Sequence, residues 1–399
     1  MKGHAGLGVV LAAGLLFFSS WGSASLAAQP VLQEVTELDF QGNERFSDET
    51  LSNAIITRET ECRSPILFLF CLAGSDFALN SSHFLEREFR RDLARVKLFY
   101  YRMGYREATV DTVLRRPSED KLQIAIEVQE GRPVLMGRLE FTGMEEIPDS
   151  SILENLPLEV GNPLSLRAWE ATEDTLVNRL RNLGFAHAEV FKGYDIFSES
   201  PYEALATFDL YPGTRAQFGP LTVLGNATVD ETTVRRLLPF QEGDRYGRDL
   251  RFAGQRNLYN LEVFSFVDIS QDLNHQPDSI VPLTIQVAEG DLHRVRTGAG
   301  LSTADCLNME ARWTSLNYLG GARRLQFRGR LSNLMAPQLQ STVCQDAGTG
   351  DFGLLNWLVS ADFTQPWLFS ASTSLSSSFF WERQSLPDIF IRETRGLNL

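Results

Sequence analysis

The four cysteines carry the plainest chemistry in this chain, because an oxidising compartment would join them into two bridges. Four cysteines allow three connectivities. Cys62 and Cys71 bracket the apolar stretch CRSPILFLFC, which a bridge could pin, whereas Cys306 and Cys344 lie in a different region. Local pairing, 62 with 71 and 306 with 344, is the expectation. Metal chemistry fails on spacing, since there is no C-x-x-C and the five histidines are scattered. Hydrolytic chemistry fails too: there is no G-x-S-x-G, and no Ser or Cys pairs with a His near an acidic partner. His83 and His187 read as surface or edge residues. No catalytic residue, metal ligand or cofactor site is expected.

The start of the chain supplies the compartment that the cysteines need. Lys2 is followed by the apolar run Leu7–Phe18 and then by SASLAAQP, whose small residues suit cleavage near Ala27. Residues 1–28 therefore read as a secretory signal peptide. The apolar run is well short of the roughly 20 residues that a spanning helix needs. No later segment reaches that length, so any membrane entry must use strands. The formal charge of −14 argues against nucleic acid, which requires clustered Lys and Arg.

Behind the cysteines lies a repeated scaffold. TELDFQGNER (Thr36–Arg45) returns as GRLEFTGMEE (Gly137–Glu146) and GPLTVLGNAT (Gly219–Thr228), with Gly42, Gly143 and Gly225 in register. LPLEVGNPL (Leu156–Leu164) recurs as LPFQEGDRY (Leu238–Tyr246). Each unit closes on a strand and a glycine, at Gly131, Gly213 and Gly290. Between these marks runs a short helix with acidic residues at its start, then a longer one with apolar residues every three or four positions. The order is β-α-α-β-β, a small mixed sheet with one face covered by two helices. The first unit carries an insertion that holds Cys62 and Cys71.

After Gly290 the period changes from about 3.6 to two. In RRLQFRGRLSNL, Leu325, Phe327 and Leu331 share a face with Gly329, opposite Gln326, Arg328, Arg330 and Ser332. In LLNWLVSADFTQPW, Leu355, Trp357, Val359 and Phe363 oppose Asn356, Ser360, Asp362 and Thr364. Such strands run to about ten residues, the length that crosses a bilayer, against a usual 5–6. Leu325, Phe327, Leu331, Leu355, Trp357, Val359 and Phe363 are therefore expected to face lipid. Trp313, Tyr318, Trp357, Trp367 and Trp381 are expected in interfacial girdles.

The repeats resemble the polypeptide-transport-associated (POTRA) domain, and the whole order resembles the BamA/TamA family of outer-membrane assembly proteins. The motifs that carry the resemblance are three POTRA-like units, the exit Glu289–Gly290, the glycine-rich strand RVRTGAGLS, and NYLGGARRLQFRGRLS. Three units fit TamA better than BamA. The implied fold is α+β POTRA repeats followed by an antiparallel transmembrane β-barrel, here truncated after about five to six strands of some sixteen. The implied division is 1–28 signal peptide, 33–131, 132–213 and 214–290 POTRA-like units, and 291–399 partial barrel. A further implication is a weak seam on the first barrel strand, at Val295, Thr297, Gly298, Gly300 and Leu301; Gly298 and Gly300 also weaken a strand by composition.

The function implied is a non-enzymatic assembly factor. Its POTRA domains would receive unfolded outer-membrane client proteins by main-chain pairing, and the barrel seam would insert them into the outer membrane. Outer-membrane lipid and an inner-membrane TamB-like protein are the other implied partners, with residues 29–290 in the periplasm. The alternative is a translocation pore of the two-partner-secretion type, which usually carries two POTRA units. A lipase-linked relative is excluded by the missing nucleophile motif.

Overall fold

A computed structural model describes residues 33–64, 71, 77–147, 149–275, 277–370, 373–387 and 389–399. The leader read at 1–28 and residues 65–70 of the apolar cysteine loop lie outside them. The chain divides into two compact bodies. The first ends at Gly131; the second runs from Arg132 to Leu399 and includes the short segment Arg102–Arg106.

The first body holds β1 (Glu34–Gln41), helix α1 (Asp48–Ala54), the short strands β2 (Glu61–Cys62) and β3 (Leu79–Asn80), α2 (Glu86–Arg102), β4 (Thr109–Ser118) and β5 (Lys121–Gln129). Its sheet has the order β1-β5-β4, with β1 parallel and β4 antiparallel to the central strand. β5 alternates buried Leu122, Ile124, Ile126 and Val128 with more exposed residues, so one face is covered by the helices. Ser47 caps α1 by accepting from the Thr50 N–H.

The second body repeats the plan twice. β6 (Leu135–Thr142), α3 (Leu166–Asn182), β7 (Glu189–Ile196) and β8 (Glu203–Tyr211) form the sheet β6-β8-β7 with its helix. β9 (Gln217–Leu224), α4 (Glu231–Arg236), α5 (Arg248–Tyr259), β10 (Phe264–Gln271) and β11 (Ile280–Glu289) form β10-β11-β9. In the second unit the short helix expected after the first turn, with Ser151 and Glu154 at its start, does not form as an α-helix. There the chain makes a single 3-10 turn, Ser150–Leu153, capped by Asp149, and Asn155 follows at φ 48°. A residue in the left-handed region two places after such a turn ends it before an α-helix can propagate.

The repeated glycines have one cause. Gly42, Gly143 and Gly225 sit at φ +80°, +75° and +86°, where a side chain is disfavoured. A Cβ on each would lie 2.2, 1.9 and 2.0 Å from the carbonyl oxygens of Val128, Leu210 and Val287, the matching residues of the three central strands. The turn therefore presses directly on the sheet in every unit.

The remaining strands are β12 (His293–Ser302), β13 (Cys306–Ser315), β14 (Arg324–Leu334), β15 (Asn356–Gln365), β16 (Leu375–Leu386) and β17 (Phe390–Asn398), with a short helix α6 (Ala336–Leu339) between β14 and β15. They form one antiparallel meander in sequence order. No helix among the described residues is long and apolar enough to cross a membrane.

Candidate functional site: strand edges and a two-faced sheet

Directly opposed residues of an antiparallel pair share a face, so the register sorts the meander into rows. One row reads Val295, Trp313, Phe327, Ala361, Phe379, Leu397; the next reads Thr297, Ala311, Gly329, Val359, Trp381, Arg395. The opposite face carries Arg296, Arg312, Arg328, Ser360, Phe380 and, one row away, Gly298, Glu310, Arg330, Leu358, Glu382. One side is thus mainly apolar and the other mainly charged or polar, as in a sheet between lipid and water.

Leu325, Phe327, Leu331, Trp357, Val359 and Phe363 lie together on the apolar face. Leu355 does not join them. The ladder starts at Asn356, opposite Ser332, and the next residue of the partner strand, Asn333, sits at φ 60°; beyond the ladder Leu354 O accepts from Asn333 Nδ2 and Leu355 O from Arg383 Nη1 at 3.0 Å. Trp367 also leaves the aromatic band. Its ring packs on the core of the third POTRA-like unit beneath Arg236, at 4.7 Å, and its Nε1 donates to Gly321 O. Trp313, Trp357 and Trp381 stay on the apolar face, the last two in a T-shaped pair at 4.7 Å.

The five seam residues fall on β12, an edge strand of the sheet, but on both of its faces. Val295, Thr297 and Leu301 point with the apolar rows, while Gly298 and Gly300 point with the polar ones. A Cβ on Gly298 would meet nothing within 4 Å. The cysteines are joined locally: Cys62 to Cys71, and Cys306 to Cys344, whose sulfurs are 2.03 Å apart. The second bridge, buried with Ala336 and Ala347, ties the start of β13 to the segment after β14.

The far end of β12 is locked to the unit before it. Leu316 and Ala322, in the β13–β14 turn, enter the core built by β9–β11 and α5. Asn317 Nδ2 donates to Thr228 O, and the Leu316 N–H donates to Leu292 O. Glu289 holds the turn that Asn317 touches. Its Oε1 accepts the N–H groups of Ala227, Thr228 and Val229 at 2.8 to 2.9 Å, and the Thr228 hydroxyl donates to its other oxygen. Burial pushes this carboxyl up, but those four donors outweigh burial and hold it below its ordinary value. Glu130, the matching residue of the first unit, accepts from the Arg45 N–H and the Tyr100 hydroxyl. The second unit has Pro212 there, which offers no such acceptor.

The sheet edges differ between units in a way sequence reading missed. In the third unit α5 covers the edge strand: Gln255 Nε2 donates to Val267 O at 2.9 Å and Arg251 Nη1 to Ile269 O at 2.5 Å. In the second unit the corresponding helix positions are Trp169 and Glu173. These engage Tyr194 and Lys192 instead, by a T-shaped ring contact and an ion pair. The matching carbonyls of β7, at Val190 and Lys192, therefore have no side-chain donor among the described residues. Beside them Phe191 and Tyr211 form an exposed T-shaped pair, 56% and 58% accessible. The chance to see this lay in aligning the helices, where Arg and Gln stand against Trp and Glu.

Three segments, 33–131, 134–207 and 216–290, match the family described as POTRA, surface antigen variable number repeat, and together they cover more than half of the chain. The chain belongs to the POTRA family. Among curated proteins it is 24% identical over 241 residues to the outer membrane protein assembly factor BamA of Neorickettsia risticii, covering 59% of this chain and 30% of that one. It is 23% identical over 310 residues to BamA of Neisseria meningitidis serogroup B, covering 75% and 36%. A BamA structure from Haemophilus ducreyi lacking POTRA domains 1–3 is similar at 18% identity and a TM-score of 0.49, covering 63% of this chain and 43% of that one. The chain spans about a third of the length of the curated relatives it matches. The relatives are outer-membrane assembly factors of the BamA type, and nothing in these matches favours TamA over BamA.

Proposed function

We propose that this POTRA protein takes part in assembling outer-membrane proteins, without catalysis: the second POTRA unit receives an unfolded client strand, and the edge of β12 passes client strands into the membrane-facing sheet. The observation that carries the reading is the contrast between β7 and β10. A strand edge binds an extended chain through main-chain groups and tolerates almost any sequence, provided those groups are not already satisfied. Arg251 and Gln255 satisfy β10, whereas β7 is left open with an aromatic pair beside it.

The division into a leader at 1–28, POTRA units at 33–131, 132–213 and 214–290 and a membrane sheet from 291 belongs to this proposal, as does contact of the apolar rows with outer-membrane lipid. The two-partner secretion pore draws on the same sheet and has no separate observation in its favour. The TamB-like partner depended on the leaning toward TamA and is not carried forward.

The test is a photoreactive residue placed at Phe191 on β7 and, separately, at Asp268 on β10, with an unfolded outer-membrane protein as client. Capture at 191 several-fold above 268 is expected, and Lys192→Pro should remove it by deleting an edge N–H. Equal capture at the two strands would sink the assignment of β7.

A further inference from the structure

Three arginines stand in one cross-strand row on the polar face: Arg296 on β12 is directly opposite Arg312 on β13, which is directly opposite Arg328 on β14. Like charges so placed repel, and a sheet normally separates them. The row is relieved from one side only. Glu310 accepts from Arg312 Nη2 at 2.8 Å and from Arg328 Nη2 at 2.7 Å, and both of its oxygens are then in use. Glu262, the acid next to the neighbouring Arg294, is shared by Arg294 and Arg324, and Asp305, beyond the other end of β12, is held by Arg330 at 3.1 Å. Arg296 has no ion pair or hydrogen bond among the described residues, and it is exposed at the sheet edge.

The surroundings of Arg296 leave space on one side. The neighbouring polar-face positions of β12 are Arg294, which is tied to Glu262, and Gly298, beside which a Cβ would meet nothing within 4 Å. The guanidinium is therefore repelled from within the sheet and has room toward the free edge. A strand adding to that edge must place one side chain opposite Arg296, on the same face.

We infer that Arg296 selects the strand that pairs with β12, favouring a client strand with a carboxylate at the register position facing it and rejecting one with Lys or Arg there. The ligand class is an extended, alternating apolar–polar segment with one Asp or Glu on its polar face. Main-chain bonds would hold any strand; the charge sets its register, because a slip by one residue moves the carboxylate to the apolar face. This inference rests on the proposed pairing of client strands at β12.

The test uses the full chain in lipid nanodiscs, with Thr297→Cys as a cross-linking site on the opposite face of β12. The probes are synthetic twelve-residue alternating peptides with a central cysteine and Glu, Gln or Lys at the adjoining polar position. The Glu peptide should cross-link about three- to tenfold faster than the Lys peptide, the range for swapping an attractive for a repulsive opposed pair. Arg296→Gln should abolish the preference and Arg296→Glu should reverse it. The exposed, unpaired position makes either change safe for folding, which the Cys306–Cys344 bridge and tryptophan emission report. Equal rates with all peptides, unaltered by Arg296→Glu, overturn the selection while leaving pairing at β12 intact. Failure of every peptide to cross-link overturns pairing at β12 itself, and this inference with it.

Discussion

The carboxylate of Glu262 lies 3.1 Å from Arg294 and 3.4 Å from Arg324, so one side chain of the third POTRA unit holds both the first and third strands of the six-stranded sheet. Arg294 also donates to the Glu262 carbonyl at 3.0 Å, and Glu262 adopts φ 58°, a left-handed conformation that non-glycine residues rarely take. All three side chains are about half exposed, so each ion pair contributes little more than about 1 kcal/mol. Glu262→Gln should loosen the junction without unfolding either part. Faster hydrogen exchange at the Leu316 amide, which donates to Leu292 O, is the expected sign, and it should be mimicked by high salt.

The three equivalent glycines lead to a graded expectation. Gly42→Ala, Gly143→Ala or Gly225→Ala each sets a methyl about 2 Å from a strand carbonyl at positive φ, and should cost roughly 2–4 kcal/mol in its own unit. Gly161→Ala and Gly243→Ala share the positive φ but meet nothing within 4 Å, so about 1 kcal/mol is expected. Exchange protection read unit by unit separates the two classes. Equal losses would show that backbone strain, not the clash, dominates.

Asp92 gives the first unit a pH dependence. Its buried carboxylate accepts the N–H groups of Ile56 and Thr57, each at 2.9 Å, and the hydroxyl of Thr57 at 2.6 Å, and Arg95 pairs with it. Burial pushes the group up, yet the Thr57 hydroxyl, the two amides and Arg95 together hold it below its ordinary value. A depressed carboxyl stabilises fully above its unfolded value and loses that contribution as pH falls through the folded one. Acid unfolding of this unit should steepen below about pH 4. Asp92→Asn should remove about 1–3 kcal/mol at neutral pH and flatten the acid limb.

The Cys306–Cys344 bridge closes a segment with a sequence separation of 38. Its reduction, or replacement of both residues by Ala, should cost about 2–4 kcal/mol by freeing the unfolded chain. The loss should concentrate in residues 335–355, where Cys306 and Cys344 are buried with Ala336 and Ala347. Strand exchange in β13 to β15 should barely change.

What the sequence determined by itself was whatever depends on period and on backbone need. Alternation at Leu325, Phe327 and Leu331 marks a two-faced strand because side chains on a pleated backbone must alternate. Glycine returned at 42, 143 and 225 because a left-handed turn pressed on a strand carbonyl admits nothing else. The longer helix expected in each repeat lies at Leu166–Asn182 in the second unit and Arg248–Tyr259 in the third for the same reason, a stripe spaced for one packed face.

Tertiary structure decided what depends on which residue lands opposite which. Arg296, Arg312 and Arg328 are sixteen residues apart at each step, and only the hairpin register brings them into one row. Leu355 has the right parity for the apolar face, but the partner strand leaves the ladder at Asn333, φ 60°, and Arg383, distant in sequence, holds the Leu355 carbonyl instead. Trp367 looked like a membrane aromatic until the third POTRA unit met its ring. The difference between an open β7 and a covered β10 likewise needs α3 and α5 in place, because a helix side chain caps a strand edge only where packing lets it reach.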